Sequence, residues 1–168
     1  MKKFVVLLIL LVAVSSLQAK VTRSSRALLE IGPKGTLYLA EGPDNDVRFG
    51  IGAEIVINPV RNIGIRLDIT ELSFGEYTLF YINQGMSLDA LIYFPMKGMQ
   101  PYFHTGFGFS TISNGGSVTY YSIRAGLGFN FSMKGGTDLF LEPGINITGN
   151  GETDLVFRTS FGARFGMF

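Results

Sequence analysis

Residues 118–133, VTYYSIRAGLGFNFSM, decide the fold. Tyr121, Ile123, Ala125, Leu127, Phe129, Phe131 and Met133 fall on one side of a two-residue alternation. Tyr120, Ser122, Arg124, Gly126, Gly128, Asn130 and Ser132 fall on the other. Successive side chains of a β-strand point to opposite faces, so a period of two means strand. One face here is greasy; the other mixes glycine, hydroxyls and charge.

The same alternation extends outward in both directions and defines eight segments: 27–40, 47–58, 63–74, 79–94, 101–112, 118–133, 139–148 and 155–168. In 47–58, Val47, Phe49, Ile51, Ala53, Ile55 and Ile57 oppose Arg48, Gly50, Gly52 and Glu54; in 63–74, Ile63, Ile65, Leu67 and Ile69 oppose Arg66 and Asp68. The phase of this third segment slips near Glu71, which marks a bulge or a strand end. Turn-forming residues separate the segments: Gly42-Pro43-Asp44-Asn45, Asn58-Pro59, Gly75-Glu76, Pro95 to Gly98, Asn114-Gly115-Gly116, Lys134-Gly135-Gly136 and Gly149-Asn150-Gly151. Pro143 removes a ladder donor in the seventh segment, where a bulge is expected. Eight strands with tight connections predict an all-β, antiparallel up-and-down barrel. An even strand number puts both termini at one end.

Residues 1–19 stand apart. Lys2 and Lys3 precede an apolar run from Phe4 to Val14, and Leu17-Gln18-Ala19 ends on a small residue. This is the layout of a secretory signal peptide, with cleavage expected after Ala19 and a single domain over 20–168. An apolar run of that length falls short of the roughly 20 residues a membrane helix needs. Loss of the leader leaves 12 basic against 13 acidic residues. That balance argues against a nucleic-acid partner, which selects a basic stripe. The chain has no cysteine, which excludes a disulfide framework and a lipid-anchored cysteine.

Alternation alone does not say which face is outside, since a soluble lipocalin-like carrier has the same period turned inside out. The polar face carries glycines at 50, 52, 64, 106, 108, 126, 128, 144 and 162. Small residues suit the narrow lumen of an eight-stranded barrel. The same face carries Arg48, Arg66, Arg124, Arg158 and Arg164 with Glu54, Asp68, Asp89 and Glu142. Turned toward lipid, each arginine near the midplane would cost roughly 2–4 kcal/mol. Five would rival a whole folding free energy of about 5–15 kcal/mol. In a bilayer the charges therefore belong inside, as a paired network, and the apolar face belongs in lipid. Tyr93, Phe94, Tyr102, Phe103, Tyr120 and Tyr121 cluster near segment ends, as interfacial girdles do.

The segments PYFHTGFGF (101–109) and IRAGLGF (123–129), with a last strand ending in Phe168, resemble the small outer-membrane β-barrel superfamily typified by the OmpA transmembrane domain and OmpX. The resemblance covers about residues 27–168. It implies the outer membrane of a Gram-negative-type bacterium, contact with its lipid, and recognition of Phe165, Met167 and Phe168 by the barrel-assembly machinery. The family pattern places the final phenylalanine in the lipid-facing phase, which here belongs to Phe165 and Met167. Some members of the superfamily modify lipid A with a histidine, a hydroxyl and an acid. His104 is the sole histidine, but no His-X-Ser pair exists and its neighbour at i+2 is Gly106.

A triad needs base, hydroxyl and acid in hydrogen-bond reach, so no catalytic residue is expected. One histidine, no cysteine and scattered acids give no metal-ligand spacing, and no cofactor is expected. Gly106-Phe107-Gly108 and Gly126-Leu127-Gly128 do not open helices and so lack nucleotide-binding geometry; room for neighbouring lumen side chains explains them better. The expected function is a structural, envelope-integrity or surface-interaction role, as a monomer, with the lumen plugged by the charged set Arg48, Glu54, Arg66, Asp68, Asp89, His104, Arg124, Glu142, Arg158 and Arg164. The alternatives are a lipid A-modifying enzyme, a narrow pore and a periplasmic carrier.

Overall fold

The computed structural model describes residues 26–40, 47–75, 78–94, 96, 98–113, 117–133, 135–149 and 153–167. The leader, the turn residues at 41–46, 114–116 and 150–152, and Phe168 lie outside them. Eight strands follow: β1 Leu29–Ala40, β2 Val47–Val60, β3 Ile63–Gly75, β4 Thr78–Tyr93, β5 Met99–Ser113, β6 Ser117–Ser132, β7 Thr137–Gly149 and β8 Thr153–Gly166. Each pairs antiparallel with the next, and β8 returns to β1, with Lys34 across from Gly162 and Leu39 across from Phe157. Closure leaves no strand edge unpaired, which a bilayer demands because it offers no water to an open edge.

The terminus-side turns are built by the residues the turn geometry requires. Gly98, Gly135 and Gly136 adopt φ of 90°, 85° and 85°, a left-handed conformation that costs other residues about 1–2 kcal/mol. Phe94 N–H donates to the Pro101 carbonyl at 2.9 Å and Met133 N–H to the Thr137 carbonyl at 2.7 Å, closing two of these turns.

One open alternative is settled and two local expectations change. The phase slip in β3 is a bulge and not an end: the ladder to β4 shifts between Asp68 and Glu71, and the strand continues to Gly75. Asn58-Pro59 does not form the turn; β2 runs on to Val60, with a register shift between Ile57 and Val60 around the proline. Asn58 instead points inward and donates from Nδ2 to the Ala27 carbonyl at 2.9 Å. Pro143 causes no bulge. Its pairing with Thr159 of β8 is regular, and the β6 register is the same on both sides of it, from Gly126–Gly144 to Phe129–Leu141. The proline lacks only the N–H that would face β6, so the ladder skips a step without slipping.

Polarity is inverted relative to a water-soluble protein. Among the described residues, 17 polar or charged side chains are buried against 6 apolar ones. Large apolar side chains cover the outside, among them Leu88 at 60 % and Ile123 at 59 % exposure. The lipocalin-like alternative, with its apolar face inward, is thereby overturned. No aqueous exterior would tolerate a continuous apolar belt of this extent, so the molecule is a transmembrane β-barrel. A nitroxide at Leu127, 55 % exposed on this wall, is expected in bilayers to relax with oxygen and stay shielded from a water-soluble nickel chelate. The opposite ratio would place water on this face.

The aromatic girdle is half what the sequence suggested. Phe94 and Tyr121 are exposed, but Tyr93 and Tyr102 are buried in the lumen. Strand parity decides this: Ile92 and Phe103 neighbour them and take the outward phase. Inside, the two tyrosine rings meet at 5.3 Å and pack with Val56 and Leu91 in a small apolar layer.

Candidate functional site in the lumen

The interior is crossed by ion pairs that join walls far apart in the sequence. Arg66 of β3 donates from Nε to Asp89 on the neighbouring strand at 2.8 Å, and its Nη1 reaches Glu142 of β7. A further contact runs to Glu54 at 3.4 Å. Arg164 of β8 donates from Nε to Glu54 at 2.5 Å, from Nη1 to Asn130 at 3.0 Å, and from Nη2 to Glu142 at 2.9 Å and the Tyr102 hydroxyl at 3.2 Å. Tyr102 in turn donates to Glu142. Asp68 accepts from Lys34 at 2.6 Å, Arg124 at 2.7 Å and the Ser87 hydroxyl at 3.1 Å. Each of the eight strands contributes at least one member.

Of the residues singled out in the sequence, Glu54, Arg66, Asp68, Asp89, Glu142 and Arg164 come together here, with Arg124 beside them. Arg158 stands 3.7 Å from Glu142. Arg48 lies exposed near the loop-side end of β2. His104 is fully buried, and neither ring nitrogen has a hydrogen-bond partner. Among the described residues, no hydroxyl and no acid hydrogen-bonds to it as a triad would. Phe165 and Met167 are exposed on the outer wall, in the lipid-facing phase.

Several interior members were missed. Glu30 and Lys34 are buried on β1 and share the inward parity of Thr36, which alternation with Ile31 and Leu37 would have revealed. Asp138 lies one step before Leu139 and has the parity of Glu142. Arg26 had no signal, since it precedes the strand. Its guanidinium sits 3.5 Å from the Tyr93 ring centroid, its Nε donates to Gln100 at 2.9 Å, and Glu30 and Asp138 lie 3.5 and 3.9 Å away. These contacts form a collar at the terminus-side end.

The lumen glycines are seats for their neighbours. Directly across the ladder, Gly106 faces Asp89, Gly126 faces His104, Gly128 faces Tyr102 and Gly162 faces Phe140. A Cβ at Gly106 would stand 1.9 Å from Asp89 Oδ1, and one at Gly128 would stand 2.1 Å from the Tyr102 ring. Each large side chain thus lies flat over the adjoining strand, which lets an eight-stranded barrel hold arginines and tyrosines at all.

The fold and its charged interior define the class: a small transmembrane β-barrel of eight strands. The solved structures say the same. The N-terminal β-barrel domain of Pseudomonas aeruginosa OprF is similar, with a TM-score of 0.57 and 20% identity over 84% of this chain and 100% of that one. Neisserial surface protein A is similar with a TM-score of 0.60 and 13% identity over 83% of this chain and 97% of that one. At these identities the likeness is one of fold. No protein-family model and no curated protein matches the chain.

Proposed function

We propose that this chain is an outer-membrane barrel with a structural, envelope-integrity role, its lumen closed by the charged network. One observation carries the reading: Arg66 of β3 reaches across the interior to Glu142 of β7, which Arg164 of the neighbouring β8 also holds, and all three side chains are fully buried. A secretory leader and a closed barrel together suit the outer membrane. The loop-side connections, from Ala40 to Val47, Gly75 to Thr78, Ser113 to Ser117 and Gly149 to Thr153, are short. Binding barrels carry long outward loops, so support of the envelope is favoured over surface contacts. Among the described residues, His104 nitrogens without hydrogen-bond partners favour no catalysis, and the apolar outer wall favours a monomer in contact with lipid. Phe165 and Met167, with Phe168, suit recognition by the barrel-assembly machinery.

Planar-bilayer recording tests the closed lumen. Purified barrel is expected to give no conductance or only small, brief events. Stable channels of porin size would overturn the reading, and small stable ones would favour the narrow pore.

A further inference from the structure

The connections at the two ends of the barrel carry opposite charge. Strand order puts the β2–β3, β4–β5 and β6–β7 connections at the end that holds the start of β1 and the finish of β8. The remaining connections lie at the loop-side end. By sequence, these loop-side connections contain Glu41, Asp44, Asp46, Glu76 and Glu152 and no lysine or arginine. The terminus-side connections contain Arg61, Lys97 and Lys134 and no acid. Glu30 and Asp138, the strand acids nearest that end, are buried in the lumen beside Arg26 and do not line the outer rim.

Each of the three cations follows directly on an exposed apolar residue: Val60-Arg61, Met96-Lys97 and Met133-Lys134. Val60, Met96 and Met133 continue the apolar wall to its terminus-side limit. The backbone there is tied down. Tyr93 N–H donates to the Asn62 carbonyl at 2.9 Å, Phe94 N–H to the Pro101 carbonyl at 2.9 Å and Met133 N–H to the Thr137 carbonyl at 2.7 Å. One residue advances a strand by roughly 3.3 Å. A cation placed next after the last apolar side chain therefore falls where hydrocarbon gives way to headgroups. Lysine and arginine suit that depth, since an apolar stem carries the charge out to the interface. Arg61, the described member of the set, is exposed.

We propose, on the reading of the chain as a membrane barrel in contact with lipid, that the terminus-side rim is a docking surface for net-anionic phospholipids. Arg61, Lys97 and Lys134 meet their headgroups while Val60, Met96 and Met133 stay among the acyl chains. The partner is lipid and not a soluble anion, because each cation is continuous with a wall that already faces hydrocarbon. The loop-side rim, whose charged connections are all acidic, repels the same lipid. The barrel thus tells one leaflet from the other by charge.

The chain contains no tryptophan, so a single reporter can be placed at either rim. Asn62→Trp stands beside Arg61 and Thr153→Trp follows Glu152, both at exposed positions. Each barrel is reconstituted in vesicles of equal parts phosphatidylcholine and phosphatidylglycerol, with one lipid or the other brominated near the top of its acyl chains. The two quenching curves together give the lipid preference at that rim. At low salt, Asn62→Trp is expected to favour phosphatidylglycerol about fivefold, the effect of one cation near an anionic surface. Thr153→Trp is expected to show no such preference or the reverse. The preference at Asn62→Trp should vanish in about 1 M salt, where charges are screened beyond about 3 Å. It should vanish equally when Arg61→Gln, Lys97→Gln and Lys134→Gln are added. No preference at Asn62→Trp in low salt, an equal one at Thr153→Trp, or one that survives salt or the triple substitution overturns the proposal. If the triple variant does not fold, the salt dependence decides. Quenching at Leu127→Trp but not at Asn62→Trp would put the turn beyond the lipid and overturns it too. Quenching at neither would overturn the membrane reading itself.

Discussion

Replacing Glu142 by alanine is expected to lower the unfolding free energy by about 3–5 kcal/mol, the usual cost of leaving buried charges without their partner. The carboxylate accepts from Arg66, from Tyr102 and from Arg164 at 2.9 Å, and faces Arg158 at 3.7 Å. Its loss takes the ion-pair partner at 3.7 Å from Arg158 and one acceptor each from Arg66 and Arg164, and all three side chains are buried. Glu142→Gln keeps the length and one acceptor oxygen but not the charge, so it should fall between. Equilibrium unfolding followed by the mobility difference between folded and boiled samples measures both variants. Planar-bilayer recording of the alanine variant should show openings that the parent lacks. A destabilisation under about 1 kcal/mol would mean the lumen is wet enough to screen the ions, as at an exposed pair.

Gly32→Ala is expected to prevent closure. An added Cβ would stand 1.7 Å from the Ala163 carbonyl oxygen and 2.8 Å from its carbon. Those are backbone atoms of β8, in the seam where the barrel closes on β1. A flexible side chain could swing away; a strand held on its other side by β7 cannot. Overpacking of a core typically costs 1–3 kcal/mol, occasionally more, and this overlap with backbone belongs at or above the upper end. Gly135→Ala is the control: nothing lies within 4 Å of its Cβ, but its φ is +85°. That substitution should cost only about 1–2 kcal/mol from conformation. Refolding yield in detergent, read from gel mobility, should collapse for Gly32→Ala and persist for Gly135→Ala. Equal yields would mean that the seam has slack.

The strands were legible to within a few residues because lipid on one side and a charged lumen on the other leave no ambiguity about parity. Even the inward tyrosines follow from it. Tyr102 alternates with Phe103, and its place in the lumen was written in the same phase as His104, although its type suggested a girdle. The prolines were the harder signs. Pro59 disturbs the β2–β3 ladder whereas Pro143 leaves its register intact; the difference lies in the neighbouring strands, which local sequence does not describe.

Arg158 shows the same limit within the charged set. Its inward phase was plain, yet nothing in the chain marked that its guanidinium would meet Glu142 at 3.7 Å rather than at hydrogen-bond distance. That depends on which acids the other arginines reach, and these partners are up to 110 residues apart.

Alternation by itself determined that this chain forms strands, how many, and which side chains meet hydrocarbon. It could do so because face is a local property, repeated every second residue. Only the closed barrel decided which charges pair and which glycine receives which ring. Those depend on the axial stagger between walls that touch no common turn, and a period of two carries no measure of height.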